Sequence, residues 1–163
     1  MNVKSRNECD VRSITRIVCI MSYTSSASCL MSSLLDSHPN IISLPDNVVS
    51  DFQDFWDMNS SLSLDLLLEA FIVKYTIIFD ARTTHKSLEG TAETGEARGF
   101  TTLGADRESY LEVDRSIFKS YMKEYIDEDL PVSRKLFFQA MHVAYSKALQ
   151  REVSDPIIVF GLH

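Results

Sequence analysis

The N-terminal half of the chain is short of glycine and of positive charge. No glycine precedes Gly90, and no lysine or arginine occurs between Arg16 and Lys74. A Walker-type phosphate loop needs glycines for close backbone approach and a lysine for the phosphates. The sequence of this region therefore excludes a Walker-type loop. An anion bound here would have to depend on backbone N–H groups and hydroxyls, or on a cation from elsewhere in the fold.

Long apolar runs are absent as well. The most apolar stretch, residues 62–79, is interrupted by Asp65, Glu69 and Lys74, and the first ten residues lack the apolar core of a secretory signal. A bilayer-spanning helix needs about 20 consecutive apolar residues, so we expect no membrane span. The net charge of −7 argues against a nucleic-acid partner, which would require a basic face.

Cysteine is scarce and is not arranged for metal or disulfide chemistry. The three cysteines, Cys9, Cys19 and Cys29, are odd in number and lack metal-type spacing, which favours free thiols in a cytoplasmic protein. No pair of histidines or carboxylates has metal spacing either, so we expect no metal. The 163 residues suit one domain.

Apolar periodicity divides the chain into strands and helices. Continuous apolar runs predict strands at 14–21, 41–44 and 155–160, and the first of them should be covered on both faces. Helical spacing predicts helices at 27–37, around 52–56, and at 62–77, 109–126 and 131–152. Pro131 should open the last helix. Strands separated by helical segments indicate an α/β fold with a parallel sheet.

Residues 80–108 break this pattern. Four of the five glycines lie here, with few large apolar side chains. Such a segment buries too little surface to offset a chain entropy of roughly 1–2 kcal/mol per ordered residue. A long unpatterned segment of this kind is typical of a functional lid or a mobile insertion.

The most informative segment follows the first strand. Residues 22–31 read Ser-Tyr-Thr-Ser-Ser-Ala-Ser-Cys-Leu-Met, and Leu-Leu-Asp-Ser-His-Pro follows at 34–39. A strand, a loop of small residues and a helix N-terminus together present N–H groups and a positive dipole end to a phosphate or sulfate. Serines before a helix are also ordinary N-caps, so the pattern fits both interpretations.

This segment resembles the N-terminal motif of the sulfotransferases, which use 3′-phosphoadenosine 5′-phosphosulfate. The family motif reads Gly-x-Pro-Arg/Lys-Ser-Gly-Thr-Thr-x-Leu, followed by Leu-Leu-Asp-x-His-Pro. Ser26 and Ser28 match the motif serine and the first threonine, and residues 34–39 match the second part. The first glycine, the cation, the second glycine and the second threonine of the motif are replaced by Ser22, Ser25, Ala27 and Cys29.

The C-terminal part resembles later elements of the same family. Residues 133–149 are similar to the long helix that precedes a central strand in bacterial members. Residues 155–163 are similar to a strand ending in Trp-Gly-x-Lys-Thr-Pro, with Phe160 and Gly161 matching and His163 at the lysine position. The resemblance covers roughly the N-terminal half of a sulfotransferase, and an incomplete sheet would offer an exposed edge for association.

The resemblance implies a three-layer P-loop-type α/β fold with a parallel sheet, incomplete here, as a single domain over residues 1–163. It implies transfer of a sulfuryl group from 3′-phosphoadenosine 5′-phosphosulfate to a hydroxyl or amine of a small molecule or glycan. His163 would be the catalytic base. The cofactor would be bound by Ser25, Ser26, Ala27, Ser28 and Cys29.

Two other hypotheses stay open. Loss of the motif cation and both glycines, together with the short length, favours a catalytically silent or truncated protein of the same fold. A P-loop nucleotide kinase is disfavoured by the absence of Gly-Lys-Ser/Thr. Of the remaining candidates, His38 is expected to have a structural role and His142 to be a core or surface histidine. Arg134 and Lys135 are expected to be solvated unless a ligand approaches them.

Overall fold

The computed structural model describes residues 10–21, 31, 34–35, 38–45, 49–86, 92–94, 101–103, 105–127, 131–151 and 153–162. The strands in this part of the chain are β1 (Ile17–Met21), β2 (Ile41–Ile42), β3 (Thr84–Lys86), β4 (Ala92–Thr94) and β5 (Ile157–Leu162). The helices whose bounds lie within the described residues are α1 (Phe52–Asn59), α2 (Leu64–Lys74), α3 (Arg115–Tyr125) and α4 (Arg134–Ala148), and Met31, Leu34 and Leu35 are also helical. Short 3₁₀ turns lie at Val11–Ser13 and Thr76–Ile78. The protein is therefore mixed α/β.

Three strands form a parallel sheet in the order β1–β5–β2. The first strand pairs with the last along its whole length, from Ile17 opposite Ile158 to Met21 opposite Leu162. The predicted parallel sheet is confirmed, although β2 is shorter than the expected 41–44. β1 begins at Ile17 rather than at residue 14, and a 3₁₀ turn at Val11–Ser13, capped by the carboxylate of Asp10, precedes it.

β1 is much more exposed than its apolar sequence predicts. Val18 is 48% and Met21 65% exposed, whereas Ile158 in β5 is fully buried. β5 lies between two strands, but β1 has a neighbour on one side only within the described residues. The prediction that the first strand is covered on both faces is therefore wrong, because the strand lies at the edge of this sheet.

The helices meet in one aromatic cluster. The predicted face of α1, with Phe52, Phe55 and Trp56, is buried. At the centre is Phe71 of α2, which is fully buried. Its ring centroid lies 5.7 Å from Phe55 of α1, 5.9 Å from Phe118 of α3 and 5.8 Å from Phe137 of α4. One side chain of α2 thus contacts α1, α3 and α4.

α2 and α3 are also joined by ion pairs on the surface. Lys119 of α3 pairs with Glu69 of α2, and Lys123 pairs with Asp65 at 2.6 Å. Successive partners run in opposite directions along the two helices, so the helices are antiparallel. α3 begins later than the expected residue 109, because the carboxylate of Asp114 accepts hydrogen bonds from two N–H groups of its first turn.

Part of the 80–108 segment forms a hairpin. β3 and β4 are antiparallel, with Thr84 opposite Thr94. Further along, Leu103 and Ser109 form an isolated antiparallel bridge. These pairings show local order in the described residues of the segment. The assignment of 80–108 as a lid or mobile insertion stays a prediction.

α4 starts and ends differently from the expected 131–152. Its N-cap is Ser133, whose hydroxyl accepts a hydrogen bond from the N–H of Leu136 at 3.2 Å, so Pro131 precedes the helix rather than opening it. At the other end, the Arg151 N–H donates to the Ser146 carbonyl at 3.0 Å and the Gln150 N–H to the Lys147 carbonyl at 2.8 Å. This is a Schellman motif, and Gln150 has the left-handed conformation, with φ of 59°.

Replacing Gln150 with glycine should stabilise the protein. A residue with a side chain is strained at positive φ, and glycine is not, so Gln150→Gly should raise the free energy of unfolding by about 1 kcal/mol. Urea denaturation measures the change. The matched control is Glu124→Gly on the exposed side of α3, which should lower the same quantity by about 1 kcal/mol. A loss of stability in Gln150→Gly would contradict the assigned helix end.

Candidate functional site

The carboxyl ends of β1 and β5 lie at the same edge of the sheet. Met21 and Leu162, the last residues of the two strands, are register partners. The predicted cofactor-binding residues Ser25, Ser26, Ala27, Ser28 and Cys29 and the predicted base His163 lie outside the described residues. The structure thus describes the strand ends from which both predicted elements continue, and adjacent strands are about 4.8 Å apart. Ligands of open parallel sheets bind outside such carboxyl ends.

The first turn of α4 contacts β5 near the carboxyl end of that strand. The ring of Phe138, one turn into α4, lies 5.2 Å from the ring of Phe160 near the end of β5. Arg134 and Lys135 precede Phe138 by about one helical turn and are exposed. They make no ion pair within the described part of the chain. The start of α4 therefore combines a positive helix end with two exposed cations.

Arg134 is held by a neighbouring helix. Its guanidinium donates to the side-chain oxygen of Gln53 in α1, and the ring of Phe52 lies 5.4 Å from that of Phe138. These contacts join the start of α1 to the start of α4. Both helix N-termini are therefore close to the same corner of the molecule.

Arg16 lies at the opposite edge. Its guanidinium forms an ion pair with Asp155 and donates to the Asp155 carbonyl at 2.8 Å. Both residues come just before their strands, at the amino ends of β1 and β5. Arg16 is therefore not placed to serve a ligand at the carboxyl edge.

His38 has a structural role, as expected. Its Nδ1 accepts a hydrogen bond from the Asn40 N–H at 3.2 Å, and its carbonyl accepts from the Ile41 N–H at 3.2 Å. The imidazole therefore shapes the turn into β2.

His142 is a core histidine of α4. It is 1% exposed, its Nδ1 bonds to the Phe138 carbonyl at 2.8 Å, and its Nε2 has no partner among the described residues. Burial, which outweighs the opposing effect of the hydrogen bond, lowers the pKa of the imidazole to about 4. His142 is neutral at physiological pH, and it has no charged hydrogen-bond partner in the described part of the chain with which it would act as a base.

Asp51 is partly buried in a polar cluster. Its carboxylate accepts from the Tyr75 hydroxyl at 2.7 Å and pairs with the Lys74 ammonium at 2.7 Å. Burial, reinforced by Asp51, raises the pKa of Tyr75 well above its ordinary value. The hydroxyl stays protonated and donates, so the cluster ties α1 to the end of α2. Asp51 and Tyr75 are 24 residues apart, so no local sequence pattern predicts their contact.

The described residues include no group of three or more histidines, cysteines, aspartates or glutamates that could hold a metal ion. The same part of the chain has no helix with the length and apolar character required to span a bilayer. Cys19 in β1 is an exposed free thiol.

Acidification should destabilise the fold through His142. The pKa of His142 is about 4 in the folded state and about 6.5 in an unfolded chain, so the unfolded state binds the extra proton between these pH values. The free energy of unfolding should fall by about 3 kcal/mol as the pH drops from about 7 to about 4. Urea denaturation across this range measures it. His142→Gln should remove most of this pH dependence and the exposed control His38→Gln should keep it; equal slopes in both variants would refute the assignment.

Comparison with known proteins assigns no activity to this edge. No protein-family model, no curated protein and no solved structure matches the chain. The function has therefore to be inferred from the chain itself: the ends of two parallel strands, the start of α4 and the sequence that continues from them.

Proposed function

We propose that the protein is sulfotransferase-like and transfers a sulfuryl group from 3′-phosphoadenosine 5′-phosphosulfate to a hydroxyl or amine of a small molecule or glycan. The observation that supports this most is the pairing of Met21 with Leu162. The motif-like segment 22–39 and His163 continue from these adjacent strand ends. An anion loop and a base that start at one edge have the arrangement that the reaction needs.

The strand order supports a P-loop-type sheet over the other common parallel sheets. In the Rossmann order and in the flavodoxin-like order, the first and second strands are neighbours. Here β5 separates β1 from β2 in the described sheet. Two architectures that also place anions at helix N-termini are thereby disfavoured, and the P-loop-type fold implied by the resemblance stands as our proposal.

The proposed chemistry is in-line transfer. The acceptor oxygen or nitrogen forms a bond to sulfur while the bond between sulfur and the oxygen of the 5′-phosphate breaks, and His163 takes the acceptor's proton. The products are a sulfated acceptor and adenosine 3′,5′-bisphosphate. Backbone N–H groups of Ser25–Cys29 would bind the 5′-phosphosulfate, because such groups at a helix N-terminus favour anions.

Stabilisation of the charge that develops on the leaving oxygen is the main requirement. Ser25 replaces the motif cation that would supply it. Arg134 and Lys135 are exposed at the start of α4, whose Phe138 ring contacts Phe160 near the carboxyl end of β5. We propose that one of them supplies the missing charge from a second element of the fold.

A catalytically silent protein of the same fold is the second candidate. The exposed apolar side chains of β1 favour it, since Val18 and Met21 would normally be covered in a parallel sheet. On this proposal the edge of β1 would serve for association with another chain. For either candidate we propose a cytoplasmic location, because the exposed thiol of Cys19 would stay reduced there.

Nucleotide titration distinguishes the candidates. The sulfotransferase proposal expects adenosine 3′,5′-bisphosphate to bind with micromolar affinity, and ATP with magnesium to bind at least about tenfold more weakly, which corresponds to 1.4 kcal/mol. Isothermal titration calorimetry measures both. Failure of both ligands would favour the silent protein, and a preference for ATP with magnesium would favour a nucleotide kinase.

Restoring the motif cation should strengthen binding. Ser25→Arg should tighten adenosine 3′,5′-bisphosphate binding by roughly three- to tenfold in low salt, because a cation is added beside the bound phosphate. Ser13→Arg is the matched control, since it adds the same charge before β1 at the opposite edge and should change little. Equal affinities of Ser25→Arg and the unmodified protein would contradict the alignment of Ser25 with the motif cation.

A further inference from the structure

Every second residue of β1 presents its main-chain groups to the free edge of the parallel sheet. The Ile158 N–H of β5 donates to the Arg16 carbonyl at 3.0 Å, and the preceding residue of β5 donates on the other side, to the Asn40 carbonyl at 2.7 Å. In a parallel ladder, the N–H and C=O of one residue point to the same side, and the side alternates from residue to residue. Because Arg16 faces β5, the residues of β1 that face outward are Ile17, Cys19 and Met21.

This outer edge of β1 is open and apolar. No strand in the described ranges pairs with it, and Ile17, Val18 and Met21 are all more than a third exposed. Soluble proteins normally protect an edge strand with a lysine, a proline or a bulge, because an open row of N–H and C=O groups pairs readily with another strand. Residues 17–21 contain no charged residue and no proline. The edge therefore has the properties of a strand-pairing surface.

The outward residues are arranged symmetrically about Cys19, the central residue of β1. A two-fold axis at Cys19 would pair two copies of β1 in the antiparallel direction. Cys19 then lies opposite its counterpart, and Ile17 lies opposite Met21 of the second copy. In this register every outward N–H and C=O of the strand meets an outward group of the other copy. A shift by one residue would place outward groups opposite groups that already face β5.

The charge of β1 indicates which partner the edge fits. Two copies of a chain with a net charge of −7 repel each other, but residues 17–21 are uncharged and place no like charges opposite one another. The neighbouring Arg16 is already paired with Asp155. Ile17 and Met21 of opposite copies would be apolar neighbours across the new pair. An uncharged, self-complementary strand favours a second copy over an acidic or a basic partner.

We propose that the outer edge of β1 binds the same edge of a second copy of the chain in the antiparallel direction, with the two-fold axis at Cys19. The two parallel sheets then join into one continuous sheet, and the exposed side chains of β1 gain neighbours across the axis. The proposal gives the association considered for the silent protein a definite partner. It does not rest on the proposed sulfuryl transfer, because the pairing uses the lateral edge of the sheet rather than the carboxyl ends of its strands.

Sedimentation equilibrium of the full chain under reducing conditions measures the association. The unmodified protein should be a concentration-dependent dimer, and Cys19→Ser should dimerise similarly, because the contact needs no disulfide. Cys19→Lys should raise the dissociation constant at least about tenfold, because two like charges would lie opposite each other at the axis. Val73→Lys is the matched control, since it adds the same charge at an exposed position of α2 and should leave the dissociation constant unchanged.

Disulfide cross-linking tests the register. With Cys9 and Cys29 replaced by serine, Cys19 is the only thiol. Copper phenanthroline, as the oxidant, should link two copies through it, because directly paired Cα atoms are about 5.5 Å apart, within the range of a disulfide. Moving the thiol to position 18, by Val18→Cys with Cys19→Ser, should nearly abolish the product. Position 18 would lie about 8 Å from its counterpart, beyond the roughly 7 Å that a disulfide spans.

A protein that stays monomeric at all concentrations would overturn the proposal. A dimer that Cys19→Lys leaves intact would overturn it as well, because another surface would then join the copies. Equal cross-linking at positions 18 and 19 would contradict the register, and this comparison decides by itself if circular dichroism shows that Cys19→Lys is unfolded. A dimer that fails to bind adenosine 3′,5′-bisphosphate would contradict the proposed function and leave this proposal supported.

Discussion

The fold depends on the burial of Phe71. This side chain of α2 is fully buried and lies within 6 Å, centroid to centroid, of rings on α1, α3 and α4. Truncation of a buried phenylalanine typically costs about 3–5 kcal/mol, a large part of the roughly 5–15 kcal/mol that holds a domain together. Because α1, α2, α3 and α4 share this contact, the position of each of them depends on the other three.

The aromatic cluster positions the candidate site through α4. Phe137 packs into the cluster, and the adjacent Phe138 packs on Phe160 of β5. Two buried polar contacts fix the helix further: Gln139 donates to the Ile14 carbonyl and Tyr145 to the Ile78 carbonyl, both at 2.6 Å. Each replaces water at a buried carbonyl, so an alternative helix position would leave these groups unpaired. The carboxyl edge of the sheet and the start of α4 are therefore held together by the core.

Sequence periodicity predicted the elements that local spacing specifies. The buried faces of α1 and α2 follow the helical spacing of their apolar residues, and strands separated by helical segments indicated the parallel sheet. Periodicity did not predict the features that depend on contacts between residues far apart in the sequence. The apolar residues of β1 indicated a covered strand, but exposure depends on strand order, which a single strand does not encode. Pro131 and Ser133 are both residue types that favour a helix start. The helix begins after Ser133, because the Ser133 hydroxyl accepts a hydrogen bond from the Leu136 N–H. Two side-chain pairs show the same limit. Asp51 bonds to Tyr75, 24 residues away, and Arg82 bonds to Glu112, 30 residues away. Helix and strand periodicity gives no information on pairs at such separations.

For the candidate site, the sequence predicted the position at the carboxyl edge of the sheet. It did not predict which residue supplies the positive charge. A motif-like loop after one strand and a histidine after another predict a common edge once the strands are parallel, and β1 and β5 meet that condition. The absence of cations between Arg16 and Lys74 left the source of positive charge open. Packing reduces the number of candidate sources. Arg16 and Lys74 form ion pairs with Asp155 and Asp51, respectively. In contrast, α4 carries Arg134 and Lys135 at its positive N-terminal end. A cation supplied by a different element would explain how a loop with Ser25 in place of the motif cation could still bind an anion.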